Sequence, residues 1–129
     1  MADAAVKKKR PVHLDLIRIR LPLPGFVSIL HRVSGVFLFL FAIWLLGLLD
    51  RSLGSADGYA QVRETVNHPF AKLVLFGLAW AFLHHFCAGI RYLFLDMDMG
   101  VDLAAARASS WAVLAVSIVL TLIFGAWLW

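Results

Sequence analysis

A hydroxyl, an imidazole and a guanidinium lie close together at the start of a long apolar stretch. A helix turns about 100° per residue, so it places Ser28, His31, Arg32 and Gly35 within an arc of roughly 100°. Such a face can donate hydrogen bonds and hold a fixed positive charge beside a carbonyl oxygen. An ionisable group just inside a membrane-length apolar segment indicates a functional site, because lipid cannot solvate it. The alternative is an arginine that extends its side chain to the lipid headgroups.

Two adjacent histidines, His84 and His85, form a second polar cluster. Neighbouring side chains on a helix point about 100° apart, so one flat cofactor cannot bind both. The face of His85 is formed by small residues: Ala81, Ala88 and Gly89. These leave a slot for a planar macrocycle, whereas the face of His84 carries the bulky Trp80 and Arg91. A lone histidine in a membrane span is more often a hydrogen-bond partner between helices, but the slot favours His85 as a ligand to haem iron.

A single histidine ligand leaves the sixth coordination position of a haem iron to another group. Electron-transfer sites usually fill both axial positions with protein side chains, so we expect a second histidine from a partner chain. Three cationic or titratable side chains, His31, Arg32 and Arg91, lie toward one common end of their spans. At that level they could neutralise the haem propionates.

The composition is that of a membrane protein. The chain has 129 residues, of which 62% are hydrophobic, and a mean hydropathy of +0.85. Apolar stretches of about 18 residues or more mark spanning helices. The sequence contains three, at about residues 26–49, 73–95 and 108–129. We therefore predict an all-α integral membrane protein with a single domain over residues 1–129. Three spans bury few helix faces, so a subunit of a larger assembly is favoured over a free-standing enzyme.

The distribution of charge predicts how the spans are oriented. Basic residues precede the first span: Lys7, Lys8, Lys9, Arg10, Arg18 and Arg20. In the loop at 50–69, by contrast, acidic residues outnumber arginines and lysines. By the positive-inside rule the N-terminus and residues 1–25 are cytoplasmic, and the C-terminus lies outside. The net charge of +4 therefore reflects membrane orientation and not nucleic-acid binding, because the basic residues cluster at membrane edges.

Local patterns make three smaller predictions. The third span carries a stripe of small residues that favours close helix packing: Ser110, Ser117, Thr121 and Gly125. The loop after the first span favours a short amphipathic turn at residues 59–66, and Pro69 can start the second long helix. Pro22 and Pro24 are expected to prevent a continuous helix before the first span.

Three motifs occur in order along the chain. They are Arg10-Pro11-Val12-His13-Leu14-Asp15-Leu16, Ser28-Ile29-Leu30-His31-Arg32-Val33-Ser34-Gly35, and His85 followed by Gly89-Ile90-Arg91 and ending at Asp96. Together they closely resemble the cytochrome b membrane-anchor subunit of succinate dehydrogenase, respiratory complex II. The resemblance covers nearly the whole chain. Tyr92 departs from the histidine or phenylalanine usual in the family, and Leu95 stands where a larger residue is common.

The resemblance implies an anchor in the bacterial inner membrane that forms half of a heterodimeric bundle with a second three-helix anchor subunit. The implied partners also include the iron–sulfur subunit and the flavoprotein subunit, and succinate oxidation takes place away from this chain. By the family pattern, His85 is an axial ligand of haem b, and the second anchor supplies the other ligand. Ser28 and Arg32 are implied to bind quinone, expected to be ubiquinone. His31 and Arg32 are implied to lie near the haem propionates.

Two other functions stand as alternatives. A haem-free structural anchor would keep only helix packing, and the slot beside His85 argues against it. A small transporter or channel subunit would use His31, Arg32 and His84 as an ion or proton path. Against this, the carboxylates nearest the spans, Asp50 and Asp96, lie at span ends rather than inside the apolar stretches.

Overall fold

A computed structural model describes residues 20–129 and shows four α-helices, with no strand in that part of the chain. The helices are α1 (Leu23–Gly54), α2 (Ala56–Asn67), α3 (Pro69–Asp96) and α4 (Leu103–Leu128). Three of them, α1, α3 and α4, are long and apolar enough to cross a membrane. The prediction of an all-α protein with three spans is confirmed. The motif at 10–16 and most of the N-terminal basic residues lie outside the described residues.

The helices extend beyond the apolar stretches that predicted them. Helix α1 begins at Leu23 rather than at about residue 26, with Pro22 as its N-cap and Pro24 in its first turn. The expectation that Pro24 precedes the helix is wrong, because a first-turn residue needs no intrahelical partner for its N–H. The predicted short turn at 59–66 is the 12-residue helix α2.

Tight turns connect α2 to its neighbours. The Ser55 hydroxyl accepts a hydrogen bond of 2.9 Å from the Gly58 N–H and so caps α2. A Cβ atom on Gly58 would collide with the Arg51 carbonyl, so this turn requires glycine. At the other end, the His68 imidazole accepts from the Phe70 N–H at 3.3 Å, and Pro69 starts α3 as predicted. Helix α2 therefore closes one end of the bundle, which we call the α2 end.

Helix α3 is the central helix of the bundle. It packs along both α1 and α4, which contact each other less. The buried apolar side chains are mostly small: Val27, Ala71, Leu78, Ala81, Ala88 and Val113. Small residues allow helix backbones to approach closely, which is how membrane helices gain packing energy. Most of the large apolar side chains lie on the outside of the bundle.

The small residues of α4 form its contact surface with α3. Ser110 and Ser117 are fully buried and Thr121 is 3% exposed. Their hydroxyls donate to carbonyls of their own helix, so no polar group is left unpaired there. A Cβ atom on Gly125 would lie 2.6 Å from the Phe76 ring. The predicted packing stripe is confirmed.

Polar contacts tie α3 to α4 at both ends. At the α2 end, the Lys72 ammonium donates to the Leu128 carbonyl at 3.1 Å and lies 5.7 Å from the Trp129 ring centre. A cation at this position satisfies one of the free carbonyls at the C-terminus of α4. At the opposite end, which we call the loop end because it holds the α3–α4 connection, the Arg91 guanidinium donates to the Ser109 hydroxyl at 2.9 Å.

Candidate functional site

Two histidine side chains meet where α1 and α3 face each other. The rings of His31, on α1, and His85, on α3, are stacked, with centroids 4.1 Å apart and planes 12° from parallel. The sequence motifs name both residues, and the fold brings them into direct contact. Tyr92 extends the cluster, since its ring centroid lies 5.1 Å from that of His31.

Two glycines allow the two helices to approach this closely. A Cβ atom on Gly35 of α1 would lie 2.9 Å from Cε1 of His85, closer than real Cβ contacts come. On α3, the corresponding atom on Gly89 would lie 3.8 Å from Nε2 of His31, an ordinary contact distance. Each histidine therefore packs over a glycine of the opposite helix, and the fit is much tighter at Gly35.

Helix α1 holds the His85 ring through one nitrogen. Nδ1 of His85 lies 3.0 Å from the His31 carbonyl oxygen and 3.2 Å from the Ser34 hydroxyl. A carbonyl oxygen only accepts hydrogen bonds, so this geometry assigns the proton of the neutral ring to Nδ1. The other nitrogen, Nε2, then carries a free lone pair. It has no hydrogen-bond partner among residues 20–129, and it is not one of the buried unpaired atoms there.

His84 lies in the interior of the bundle. The side chain is fully buried, and within the described residues neither ring nitrogen makes a hydrogen bond of full geometry, although the Val27 backbone lies near enough to be a weak acceptor. Its ring stacks on Trp80, with centroids 5.4 Å apart and planes 26° from parallel. A nitrogen enclosed in this way cannot reach a group outside the chain. Of the two adjacent histidines, only His85 presents an accessible nitrogen.

The structure corrects the slot that the sequence predicted beside His85. Ala88 is fully buried, so neighbouring helices fill the space next to it, whereas Ala81, 5% exposed, borders a cleft of about 330 Å³ between α1 and α3 that His85 does not line. Gly89 is half-buried and remains beside the histidine pair. Sequence reasoning placed Gly35 on the polar face but missed its role. The signal that could have found it is its place four residues after His31 on one helix face.

Ser28 and Arg32 lie on α1 one turn apart, next to His31. Arg32 is exposed and Ser28 is half-buried. In the part of the chain that the structure describes, no carboxylate pairs with Arg32, so its charge is available to a group outside the chain. The structure thus keeps Ser28, Arg32 and His31 in the half of α1 nearest the loop end, and His85 faces them from α3.

Arg91 points to a different neighbour. It is only 7% exposed and is engaged with α4, through Ser109 and, at 3.5 Å, the Ala106 carbonyl. The guanidinium carbon also lies 5.6 Å from the Tyr92 ring centre. The structure therefore connects Arg91 to the histidine pair only through Tyr92. Its predicted place beside the haem propionates stays a prediction.

The Tyr92 hydroxyl is a feature that the sequence did not reveal. It is buried and has no hydrogen-bond partner among the described residues. Its ring packs against the buried cluster of Val27, Ala88 and Val113. The sequence marks Tyr92 only as a departure from the family pattern, while the fold places it between His31 and Arg91.

Comparisons with known proteins cover nearly the whole chain. Residues 6–124 match the family described as succinate dehydrogenase/fumarate reductase transmembrane subunit. The succinate dehydrogenase cytochrome b556 subunit of Coxiella burnetii is 34% identical over 122 residues, which cover 94% of this chain and 98% of that protein. The subunit of the same name from Paracoccus denitrificans is 32% identical over 123 residues, covering 95% of this chain and 94% of that protein.

These matches agree with the resemblance seen in the motifs and with the three membrane-spanning helices. Both relatives are named as subunits of succinate dehydrogenase, an oxidoreductase. The chain is a multi-pass membrane protein, and it belongs to the family of cytochrome b membrane-anchor subunits of succinate dehydrogenase.

Proposed function

We propose that this chain, together with a second anchor subunit, attaches the flavoprotein and iron–sulfur subunits of succinate dehydrogenase to the bacterial inner membrane. In that role it helps to pass electrons from succinate to quinone and has no succinate-oxidising site of its own. The family match over residues 6–124 supports the anchor role. The thin three-helix bundle, with most large apolar side chains on its surface, supports a partner within the membrane.

The observation that carries the haem assignment is the state of the His85 ring. Histidines that bind a metal through one nitrogen almost always donate the other N–H to a carbonyl or carboxylate. His85 has this arrangement, with Nδ1 held by the His31 carbonyl and Nε2 accessible. His85 would therefore hold haem b through Nε2, with the other axial ligand from the second anchor. When bound, haem b supplies a one-electron carrier inside the membrane.

His31 and Arg32 would neutralise the propionates of the haem. Both belong to the half of α1 nearest the loop end, and Arg32 is exposed. His31 also supports the ligand directly, since its ring stacks on that of His85 and its carbonyl accepts from Nδ1. Arg91 is included in this set by its position near the same end of α3, although its contacts are with α4.

Ser28 and Arg32 would form this chain's part of the quinone site, with ubiquinone as the expected substrate. A quinone takes up two electrons and two protons, so its site must stabilise negative charge that develops on a carbonyl oxygen. The exposed Arg32 offers a fixed positive charge, and the half-buried Ser28 offers a hydroxyl one turn earlier. The apolar side chains beyond Val33 would give the isoprenoid tail a path from the lipid.

The loop end would face the cytoplasm. The basic residues before α1 support this orientation through the positive-inside rule. It places Ser28, Arg32 and the histidine pair on the side where the iron–sulfur subunit docks and where water supplies protons. Residues 1–25 would then be a cytoplasmic segment that continues into the first turn of α1.

The quinone assignment is tested with Ser28→Ala and Arg32→Leu. Removing one donor aimed at developing charge lowers turnover by about 10²-fold, and removing the cation lowers it at least as much. Quinone reduction per flavin is measured beside reduction of an artificial dye that accepts electrons from the soluble subunits. We expect quinone reduction to fall in both variants while dye reduction stays at the wild-type level.

Matched controls come from the same helix. Ser52→Ala and Arg51→Leu remove the same groups at the α2 end, where the Ser52 hydroxyl donates only to the Leu49 carbonyl. Both controls should keep wild-type quinone turnover. The contrary result is normal quinone turnover per assembled complex in Ser28→Ala and Arg32→Leu, with a lower yield of assembled complex. It would show that Arg32 only extends to the lipid headgroups and that Ser28 only packs between helices.

The haem assignment is tested by the optical spectrum of the complex purified through a tag on this chain. Two axial histidines predict a low-spin b-type spectrum in the reduced-minus-oxidised difference. A complex with full flavin content and no such spectrum would instead show a haem-free structural anchor.

A further inference from the structure

We propose that Ser34 is a positioning residue for the haem ligand, acting through Nδ1 of His85. This inference deepens the proposed function and rests on ligation by His85. Ser34 is 3% exposed and belongs to α1, whereas His85 lies 51 residues away on α3. The hydrogen bond between Ser34 and His85 therefore connects α1 to α3 at the proposed haem ligand.

Both the hydrogen and the oxygen of the Ser34 hydroxyl have a hydrogen-bond partner. Its O–H donates to the His31 carbonyl at 2.9 Å, so the hydrogen points away from His85. The oxygen lone pairs then face Nδ1 of His85 at 3.2 Å. Nδ1 therefore donates to two acceptors at once, the His31 carbonyl and the Ser34 hydroxyl. Two acceptors from one helix restrain rotation of the imidazole and hold the proton on Nδ1.

This arrangement affects the electronic character of the ligand. A hydrogen bond from the far N–H of an imidazole makes the metal-binding nitrogen more basic. A more basic ligand stabilises ferric over ferrous iron. Removing the Ser34 hydroxyl takes away one of the two acceptors, so we expect the haem to become easier to reduce.

Other buried serines show what is distinctive about Ser34. Ser117 on α4 is fully buried and donates to Leu114, the carbonyl three residues earlier, at 3.0 Å. Ser34 makes the same bond within its own helix, also three residues back. Among the buried serines and their partners in residues 20–129, only Ser34 adds a second contact, to a histidine on another helix. Ser117→Ala is therefore a matched control that removes a buried hydroxyl and nothing else.

The experiment compares Ser34→Ala with Ser117→Ala in the purified four-subunit complex. Each preparation is poised at the midpoint potential of the wild-type haem, and the ferrous-to-ferric ratio is read optically. We expect this ratio to rise about threefold in Ser34→Ala, which corresponds to about 28 mV at 59 mV per tenfold change. The low-spin ferric electron paramagnetic resonance signal should shift as well, since the ring is less restrained. Ser117→Ala should match the wild type in both measurements.

A second pair of variants separates the effect of the Ser34 hydroxyl from the effect of side-chain shape. Ser34→Thr keeps the hydroxyl, and Ser34→Val has the same shape without it. A cleft of about 330 Å³ between α1 and α3 borders Ser34. The threonine variant should keep the wild-type midpoint and the valine variant should raise it. This pair decides the matter if the alanine variant fails to assemble.

Wild-type midpoint and resonance signals in both Ser34→Ala and Ser34→Val would overturn the proposal. Failure of the proposed function has a different signature. If the wild-type complex lacks haem, or if His85→Leu keeps the wild-type spectrum, then ligation by His85 is wrong, and the Ser34 proposal falls with it.

Discussion

His84 and His85 are adjacent in sequence and have opposite surroundings in the fold. His84 is fully buried, stacks on Trp80 and makes no hydrogen bond of full geometry through either nitrogen within residues 20–129. His85 is held by α1 through Nδ1 and keeps Nε2 accessible. The two residues differ by one helical step of about 100°. The comparison shows that accessibility and a held second nitrogen, rather than residue type, distinguish a candidate ligand from a packing histidine.

The same contrast extends to the residues around each histidine. His85 lies against a carbonyl, a hydroxyl and a glycine of α1, all of which constrain its ring. His84 lies against an aromatic ring, which contributes packing but no hydrogen bond. A buried polar group without a partner costs about 1–3 kcal/mol. We therefore expect that an apolar residue can replace His84 without loss of assembly. The same replacement at His85, the proposed ligand, is not expected to be tolerated.

A loss of haem affinity is expected from Gly35→Ala. The added Cβ would lie 2.9 Å from Cε1 of His85, a ring that cannot move freely because its Nδ1 is bonded to α1. Overpacking of this kind costs about 1–3 kcal/mol, so haem affinity should fall about tenfold or more. The measurement is the haem-to-flavin ratio of the purified complex.

Gly47→Ala is the matched control for that variant. Gly47 lies on the same helix, and a Cβ atom there would meet nothing within 4 Å. It should retain the full haem content. Equal haem content in Gly35→Ala and Gly47→Ala would show that the close contact between Gly35 and the His85 ring does not constrain the site.

An effect on stability, without an effect on the haem, is expected from Trp80→Leu. This change removes the ring stacked on His84 and should destabilise the assembled complex by about 1–3 kcal/mol. The haem spectrum should be unchanged, because His84 and its surroundings lie away from Nε2 of His85. Thermal dissociation of the complex and the optical spectrum per haem are the two measurements.

Trp111→Leu controls for the loss of a tryptophan as such, since Trp111 is 64% exposed on α4. It should leave both stability and spectrum near the wild type. A changed haem spectrum in Trp80→Leu would contradict the separation between the two histidines.

The sequence predicted the membrane spans and the packing stripe of α4 well. Each span is an apolar run longer than 18 residues, and such runs leave few alternatives to a helix. The stripe of Ser110, Ser117, Thr121 and Gly125 follows from helical period alone. The helix ends were less predictable, because polar residues can continue a helix beyond its apolar run, as α1 does through Asp50 and Arg51 to Gly54.

The candidate site could be predicted only in part. The motifs named His31, His85, Ser28 and Arg32, but nothing in the sequence gives the register of α1 against α3. That register alone stacks His31 on His85 and brings Ser34 to Nδ1. The roles of Gly35 and Tyr92 depend on it too, and the contacts of Arg91 depend on the register of α3 against α4. Neither register could be read from spacing within one helix.

The central claim is that His85, and not His84, holds the haem iron. The most direct measurement compares the reduced-minus-oxidised optical spectra of His85→Leu and His84→Leu complexes, normalised to flavin. We predict that the low-spin b-type spectrum is lost or strongly altered in His85→Leu and unchanged in His84→Leu. An unchanged spectrum in His85→Leu with an altered one in His84→Leu would contradict the account.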